Sequence, residues 1–291
     1  MKNLVLFDLS CLMYVALYSR AGALSYNGQD TTVIYRTLSM MLSALKDFGP
    51  ADYLIASDRS PYYRHQLYPA YKGHRTGAPD EIRRQEIVLR QFFQQSSSVL
   101  YGFQGLESDD IIASAAKQLA PLYDRVICYS SDQDLYQLIT ENVSACDPRT
   151  KKIVDLSQFK KTFGCEPGEW ALVKAIVGDN SDNIQGIPGI GVKTAVKYIY
   201  QRASKTATET ILENQELIEK NHQLTQLPYH GFTFTPMLQY SFSEHDLAEF
   251  FDTFGFTSFH SRLPSVLRLL NGASTRAVSP SAESQRLCAI L

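Results

Sequence analysis

The sequence predicts an α/β fold: a mostly parallel central sheet flanked by helices, followed by a region built of helices alone. Three observations lead there. Short apolar runs at 2–7 (KNLVLF), 53–57 (YLIAS) and 126–130 (VICYS) are continuous, not alternating, as strands covered on both faces must be. Helical patterns at 31–48, 80–95 and 108–119 fall between those runs, the alternation of a layered α/β domain. From about Pro167 onward the strands give way to helices joined by tight glycine turns.

The elements follow in order. Asp8 ends the first apolar run, so the N-terminus reads as a strand and not as a signal peptide. Ser108, Asp109 and Asp110 open the 108–119 helix, where a serine can cap and carboxylates favour the positive end of the dipole. Residues 143–145 and 152–155 read as two further strands around a turn at Pro148 and Arg149. The segment 244–256 is amphipathic, with Leu247, Phe250, Phe251 and Phe254 on one face. After Leu270 the composition turns small and polar, as in a loose tail. The expected organisation is an α/β domain at 1–165, a helical region at 166–270 and a flexible tail at 271–291.

At 291 residues, 44% hydrophobic and 20% charged, the chain has an ordinary globular composition. It contains no apolar run near the ~20 residues of a membrane span. Its five cysteines are widely spaced without a metal-ligand pattern. Cys128 and Cys146 lie in apolar runs, so buried thiols and a reducing cytoplasm are expected. A net charge of −2 does not exclude a nucleic-acid partner, because acids gathered in one site leave the remaining surface free to be basic.

Taken singly, each acid has a structural explanation as a cap or a turn residue. Their collective placement is more informative. Asp8 follows the first strand and Asp58 the second. Glu107, Asp109 and Asp110 follow the VLYGF run, and Asp132 and Asp134 follow VICYS. In open α/β sheets, ligands bind outside the carboxyl ends of the strands. Seven carboxylates are therefore expected along one sheet edge, with Asp179 and Asp182 able to join from the helical region. So many acids cannot share a pocket while ionised unless cations neutralise them. Oxygen ligands at that density suit Mg²⁺ or Mn²⁺ rather than zinc. Two such ions ~3.5–4 Å apart form a clamp for phosphodiester hydrolysis.

The stretch IPGIGVKTAVKYI matches a helix–hairpin–helix spanning 184–199. Gly189 and Gly191 permit a tight turn whose amides can approach a phosphate, and the next helix adds its positive end. Lys193 and Lys197 lie one turn apart on that helix, on either side of Thr194, and can meet the same backbone. Contacts of this kind position DNA without reading its sequence.

Five ordered blocks, LVLFD, IASDRSPYYRHQLYPAYKGHR, GLESDDIIAS, SSDQDLYQLI and GDNSDNIQGIPGIGVKTA, make the chain similar to the 5′-nuclease family. That family includes the 5′→3′ exonuclease domain of bacterial DNA polymerase I, the phage flap endonucleases and their eukaryotic relatives. The resemblance covers roughly 2–270 and is greatest to the polymerase type. No polymerase domain follows, so a stand-alone nuclease is expected. The resemblance implies a PIN-like core, a helix–hairpin–helix region and a helical arch. It also implies a structure-selective 5′→3′ exonuclease and flap endonuclease that acts as a monomer in replication and repair, on DNA with 5′ flaps, nicks or 5′ ends.

Carried over by motif, Glu107, Asp109 and Asp132 hold a first metal, with Asp8 and Asp58 acting partly through water. Asp134, Asp179 and Asp182 serve a second, and Asp110 matches a further metal-site acid. Lys72 and Arg75 approach the scissile phosphate, Tyr71 stacks on a base, and Arg64 meets the 5′ strand. Lys174 and Lys193 lie near the duplex, and a K⁺ ion sits at the hairpin. The arch matches 60–86, where Arg64, Lys72, Arg75, Arg83 and Arg84 are interleaved with tyrosines, a composition suited to a passing single strand. One departure is Leu9, where the family usually has glycine; it bears on the local path and on substrate preference. Two other readings remain open: a catalytically silent helix–hairpin–helix DNA-binding protein, and a PIN-type ribonuclease.

Overall fold

The computed structural model describes residues 1–19 and 22–273 of the chain. Six strands, β1 (Asn3–Asp8), β2 (Ala51–Ala56), β3 (Leu100–Tyr101), β4 (Arg125–Tyr129), β5 (Val143–Cys146) and β6 (Ile153–Val154), form one sheet. The spatial order is β3-β2-β1-β4-β5-β6. Every pairing is parallel except β5 with β6. From β1 the chain turns to β2 on one side, then returns to β4 on the other. A crevice at the carboxyl ends of β1 and β4 follows from that reversal.

All six residues of β1 are buried, because both faces of the sheet are covered. Val5 and Phe7 point into a layer formed by α1 (Leu9–Leu17), α2 (Thr32–Asp47) and α4 (Asp80–Ser96), with the single turn α3 (Arg64–Leu67) between the last two in the chain. Leu4 and Leu6 point the other way, onto α5 (Ser108–Leu119). Alternate residues thus serve opposite layers, which accounts for the continuous apolar run. Each such side chain contributes about 1.5–3 kcal/mol on burial.

A second core belongs to the helices α6 (Leu156–Phe163), α7 (Trp170–Val177), α8 (Val192–Ile199), α9 (Lys205–Leu212) and α10 (Gln215–Thr225). It is tied to the sheet edge where the Trp170 indole N–H donates to the Gln133 carbonyl at 2.9 Å. Asn221 locks α10 to its neighbours by donating to Ala175 O and Gln185 O at 3.0 and 2.8 Å.

The expected helical region at 166–270 divides in two. The helices α11 (Glu244–Thr253), α12 (Thr257–His260) and α13 (Leu263–Leu270) return to the sheet, where Leu247, Phe251, Phe259 and Val266 share a core with Val5, Phe7 and Tyr53. The Tyr53 hydroxyl donates to Leu270 O at 2.7 Å. An amphipathic stripe shows that a helix needs cover but not what covers it. Residues 271–273 are also docked: Asn271 exchanges hydrogen bonds of 3.0 Å with the Phe242 backbone, and Ala273 N donates to Asp52 at 3.1 Å. The rest of the expected tail, with Cys288, lies outside the described residues. No helix among the described residues is long and apolar enough to cross a membrane.

Candidate active site

Local backbone geometry places each acid. Asp8 ends β1 and caps α1, accepting from Cys11 N at 3.0 Å and from the Ser130 hydroxyl at 2.9 Å. Asp58 follows β2 by two residues and accepts from Ser108 N at 2.9 Å. Glu107 caps α5, and Asp109 and Asp110 occupy that helix's first turn. Asp132 caps the short helical turn Gln133–Leu138, accepting from Asp134 N at 2.8 Å. Asp179 and Asp182 sit in a tight hairpin pairing Gly178–Asp179 with Ile184–Gln185. Gly178 has φ +82, and a Cβ there would lie 2.3 Å from Gly186 N. No side chain fits at that position, so this glycine is what lets the hairpin close.

An open cleft of about 1480 Å³ runs along the sheet edge and is lined by Asp8, Asp58, Asp109, Asp132 and Asp179. Lys72, Arg75 and Lys174 also face it. Glu107, Asp134 and Asp182 do not line it, and their side chains are only 3%, 13% and 7% exposed. Among the described residues, no three His, Cys, Asp or Glu side chains make a ready-formed metal cluster. The acids nonetheless repel one another. Burial, then the charge of Asp58, pushes the Asp8 carboxyl up to about 7. Burial, then Asp132, pushes Asp134 up to about 7. Asp109 is raised well above the carboxylate range by burial and then by Asp132 and Asp8. Its Oδ1 is buried without a hydrogen-bond partner. An orphaned carboxylate oxygen among mutually repelling acids is a donor set fitted to hard divalent cations.

The remaining acids already carry protein cations. Glu107 receives Lys72 Nζ on Oε1, and on Oε2 it receives Arg64 Nη1 at 2.8 Å and the Tyr71 hydroxyl at 2.9 Å. Burial would raise its pKa, but Lys72 and Arg64 outweigh burial and lower it. Asp182 accepts from Arg75 Nη2 at 2.6 Å and from the Tyr71 hydroxyl at 2.9 Å. Lys174 Nζ pairs with Asp179 and lies 2.9 Å from Asp134 Oδ1.

Three expectations are corrected here. Arg64 is 2% exposed and forks both nitrogens onto Asp110, at 2.7 and 2.8 Å, so it holds the interior together and does not offer itself to a 5′ strand. Asp110, fully buried, also accepts from Tyr229 N at 2.7 Å. Its valences are filled by Arg64 and backbone, so it does not reach the cleft as a metal ligand. Tyr71 is 2% exposed, with its hydroxyl on Glu107 and Asp182, so its ring is not presented for stacking. The sequence shows a basic or aromatic residue in the right block but not whether it is buried. A pair overlooked by sequence reasoning is Tyr14 and Tyr18, stacked at 6.3 Å with ring planes 15° apart on the exposed side of α1, both lining the cleft. The signal was two tyrosines four residues apart, one on the helix that Asp8 begins and one at its end.

Gly189 has φ +79, and both Gly189 and Gly191 face open space. Lys193 and Lys197 are exposed on α8, whereas Ala195 and Val196 are buried. Expected arch residues 60–75 pack against the body: Lys72 N donates to Asp182 O at 2.9 Å, and Asn183 Nδ2 donates to Ala70 O at 2.7 Å.

A family described as "5′-3′ exonuclease, N-terminal resolvase-like domain" matches residues 3–164. A 5′-3′ exonuclease from Aquifex aeolicus is 32% identical over 222 residues, covering 76% of this chain and 75% of its own length. The thermostable DNA polymerase I of Thermus thermophilus is 28% identical over 229 residues, covering 78% of this chain but only 27% of the polymerase. Relative to polymerases of that kind, then, the chain spans about a quarter of the length. In fold it is similar to the T5 D15 protein co-crystallised with metal ions, at TM-score 0.65 and 19% identity over 91% of this chain and 99% of the other. The same T5 flap endonuclease in complex with DNA and metal ions gives TM-score 0.63 at 19% identity, over 91% and 99% of the two chains.

Proposed function

The chain belongs to the 5′-3′ exonuclease family, and from that premise we propose that it is a divalent-metal-dependent nuclease that cleaves DNA bearing 5′ flaps, nicks or free 5′ ends. The observation that carries this reading is the gathering of Asp8, Asp58, Asp109 and Asp132 along one cleft, with Asp109 Oδ1 unpartnered. Binding phosphate alone gains nothing from such an array of negative charge, which speaks against a silent DNA-binding protein.

In this reading Mg²⁺ or Mn²⁺ is held by Asp8, Asp58, Glu107, Asp109 and Asp132, with a second ion toward Asp134, Asp179 and Asp182. When bound, the ions supply polarisation of the attacking water and counter-charge for the departing oxygen. The protein supplies the rest. Lys72 and Arg75, both facing the cleft, place positive charge where the phosphate accumulates negative charge. Gly189, Gly191, Lys193, Thr194 and Lys197 hold the duplex backbone, with a K⁺ ion at the turn as the family resemblance implies. Tyr14 and Tyr18 offer an aromatic platform to the unpaired strand. The hairpin and the Asp179–Asp182 turn adjoin in sequence, so one element sets the distance from gripped duplex to cut phosphate. The chain acts as a monomer.

The test is cleavage of a 5′-labelled flap duplex with and without Mg²⁺, beside a matched single strand. Metal-dependent release of a flap-length product is expected, and mononucleotides would report the exonuclease mode. DNA binding without any cut at any metal concentration would overturn the assignment.

A further inference from the structure

Asp134 and Asp179 stand on different elements, one in the turn after β4 and one in the hairpin after α7. Between them lies a single amine. Lys174 Nζ pairs with Asp179 Oδ2 and sits 2.9 Å from Asp134 Oδ1. The contact to Asp134 is electrostatic rather than a well-directed hydrogen bond. By contrast, no Lys or Arg forms an ion pair with Asp8, Asp58, Asp109 or Asp132 among the described residues. A divalent ion can therefore approach those four acids without displacing a protein cation, and among the acids read as holding the first ion only Glu107 carries any, Lys72 and Arg64. At Asp134 and Asp179 it must first displace the lysine.

The lysine is built to leave. It stands in the last turn of α7 on an unbranched four-carbon stem, whose torsions can swing the amine without moving the backbone. Its side chain, 16% exposed, already borders the cleft, so a phosphate arriving there can take over the amine while the ion takes over the carboxylates. The exchange conserves pairing on both sides: two acids trade one positive charge for two, and the freed ammonium gains an anion.

We propose that Lys174 is a tethered counter-ion that occupies the second metal position in the DNA-free protein and yields it when a DNA phosphate binds the amine. The proposal rests on the two-ion reading above. It makes metal loading sequential, with one ion bound readily and the second bound weakly until DNA arrives. By linkage, the second ion and DNA then strengthen each other's binding to the same degree.

The experiment is Mn²⁺ titration of the DNA-free chain, with free Mn²⁺ read by electron paramagnetic resonance, for wild type, K174M and K174R. Wild type and K174R are expected to take one ion readily and a second at least about ten-fold more weakly. K174M, having lost the competing charge, is expected to bind the second ion about ten-fold or more tightly than wild type. Circular dichroism confirms folding; should K174M not fold, K174Q removes the same charge while keeping a donor and carries the same expectation. Superimposable curves for wild type and the uncharged variants would overturn the role of Lys174 while leaving the metal site intact. Failure of every variant, wild type included, to take up Mn²⁺ would overturn the two-ion reading itself.

Discussion

The cleft has two sides that neutralise their acids in different ways. On the sheet side, Asp8, Asp58 and Asp132 are held by backbone caps and hydroxyls and Asp109 by its place in the first turn of α5, with no protein cation paired to any of them among the described residues. In a second group, Glu107 at the start of α5, Asp134 in the turn after β4, and Asp179 and Asp182 in the later hairpin are each paired with Lys72, Lys174 or Arg75. The difference teaches where the charge is fixed and where it can be exchanged. Strand ends are rigid and hold repelling carboxylates in place, so that side is complete only with external cations. The second group sets four acids against Lys72, Lys174 and Arg75, long side chains that can move.

The largest expected effect breaks the rigid side. Asp132→Ala removes a cleft carboxylate with no local replacement, and cleavage should fall by roughly 10³-fold or more, the equivalent of several kcal/mol at the transition state. DNA affinity, measured by fluorescence anisotropy, should stay within a few-fold of wild type. Cleavage at the normal rate would remove Asp132 from the site.

The next tests the interior beneath that side. Arg64→Met leaves Asp110 ionised, buried and stripped of its fork. Breaking a buried pair from one side costs about 3–5 kcal/mol, and urea unfolding should show a loss of that size. If Arg64 instead met the DNA strand, stability would hold and binding would fall, so the two measurements separate the roles.

The repelling acids also give the metal-free protein a characteristic pH dependence. Asp8 and Asp134 have folded-state pKa values of about 7 against an ordinary value of 3.8. The folded chain therefore holds protons that the unfolded chain releases, and stability falls as pH rises from 3.8 toward 7. Glu107 and Asp179 shift the other way, below their ordinary values, so they act only at lower pH. With a chelator present, the melting temperature should be lower at pH 8 than at pH 5.5. Added Mg²⁺ should raise it more at pH 8. A melting temperature indifferent to both would show that the acids do not repel as their burial implies.

These expectations also show how far the sequence could be read. Acids after β1, β2 and β4 were legible because a strand end fixes its own position, and an apolar run ending in Asp announces one. The hairpin was legible because Gly189 and Gly191 leave few alternatives. Arg64 and Asp110 were misread because a buried ion pair looks in sequence like two exposed charges; only the partner across 46 residues distinguishes them. Tyr71 was misread for the same reason. The return of α11–α13 to the sheet was hidden because an apolar stripe carries no address. What sequence conveys well is local and backbone-determined, and what it conveys poorly is which distant side chain fills a vacancy.

The smallest expected effect lies outside the cleft and tests whether the two sides act on DNA that the hairpin holds. Lys193 is exposed on α8 beyond Gly191 and has no part in pairing the acids. Lys193→Ala should weaken DNA binding across all sequences alike and reduce the slope of log affinity against log salt by about 1, the contribution of one phosphate contact. Single-turnover cleavage at saturating DNA should change little, because the cleft is untouched. An unchanged salt slope would move the duplex grip away from this hairpin, and with it the argument that one element measures from grip to cut. A loss confined to the saturated cleavage rate would mean instead that the hairpin positions the acids rather than the DNA.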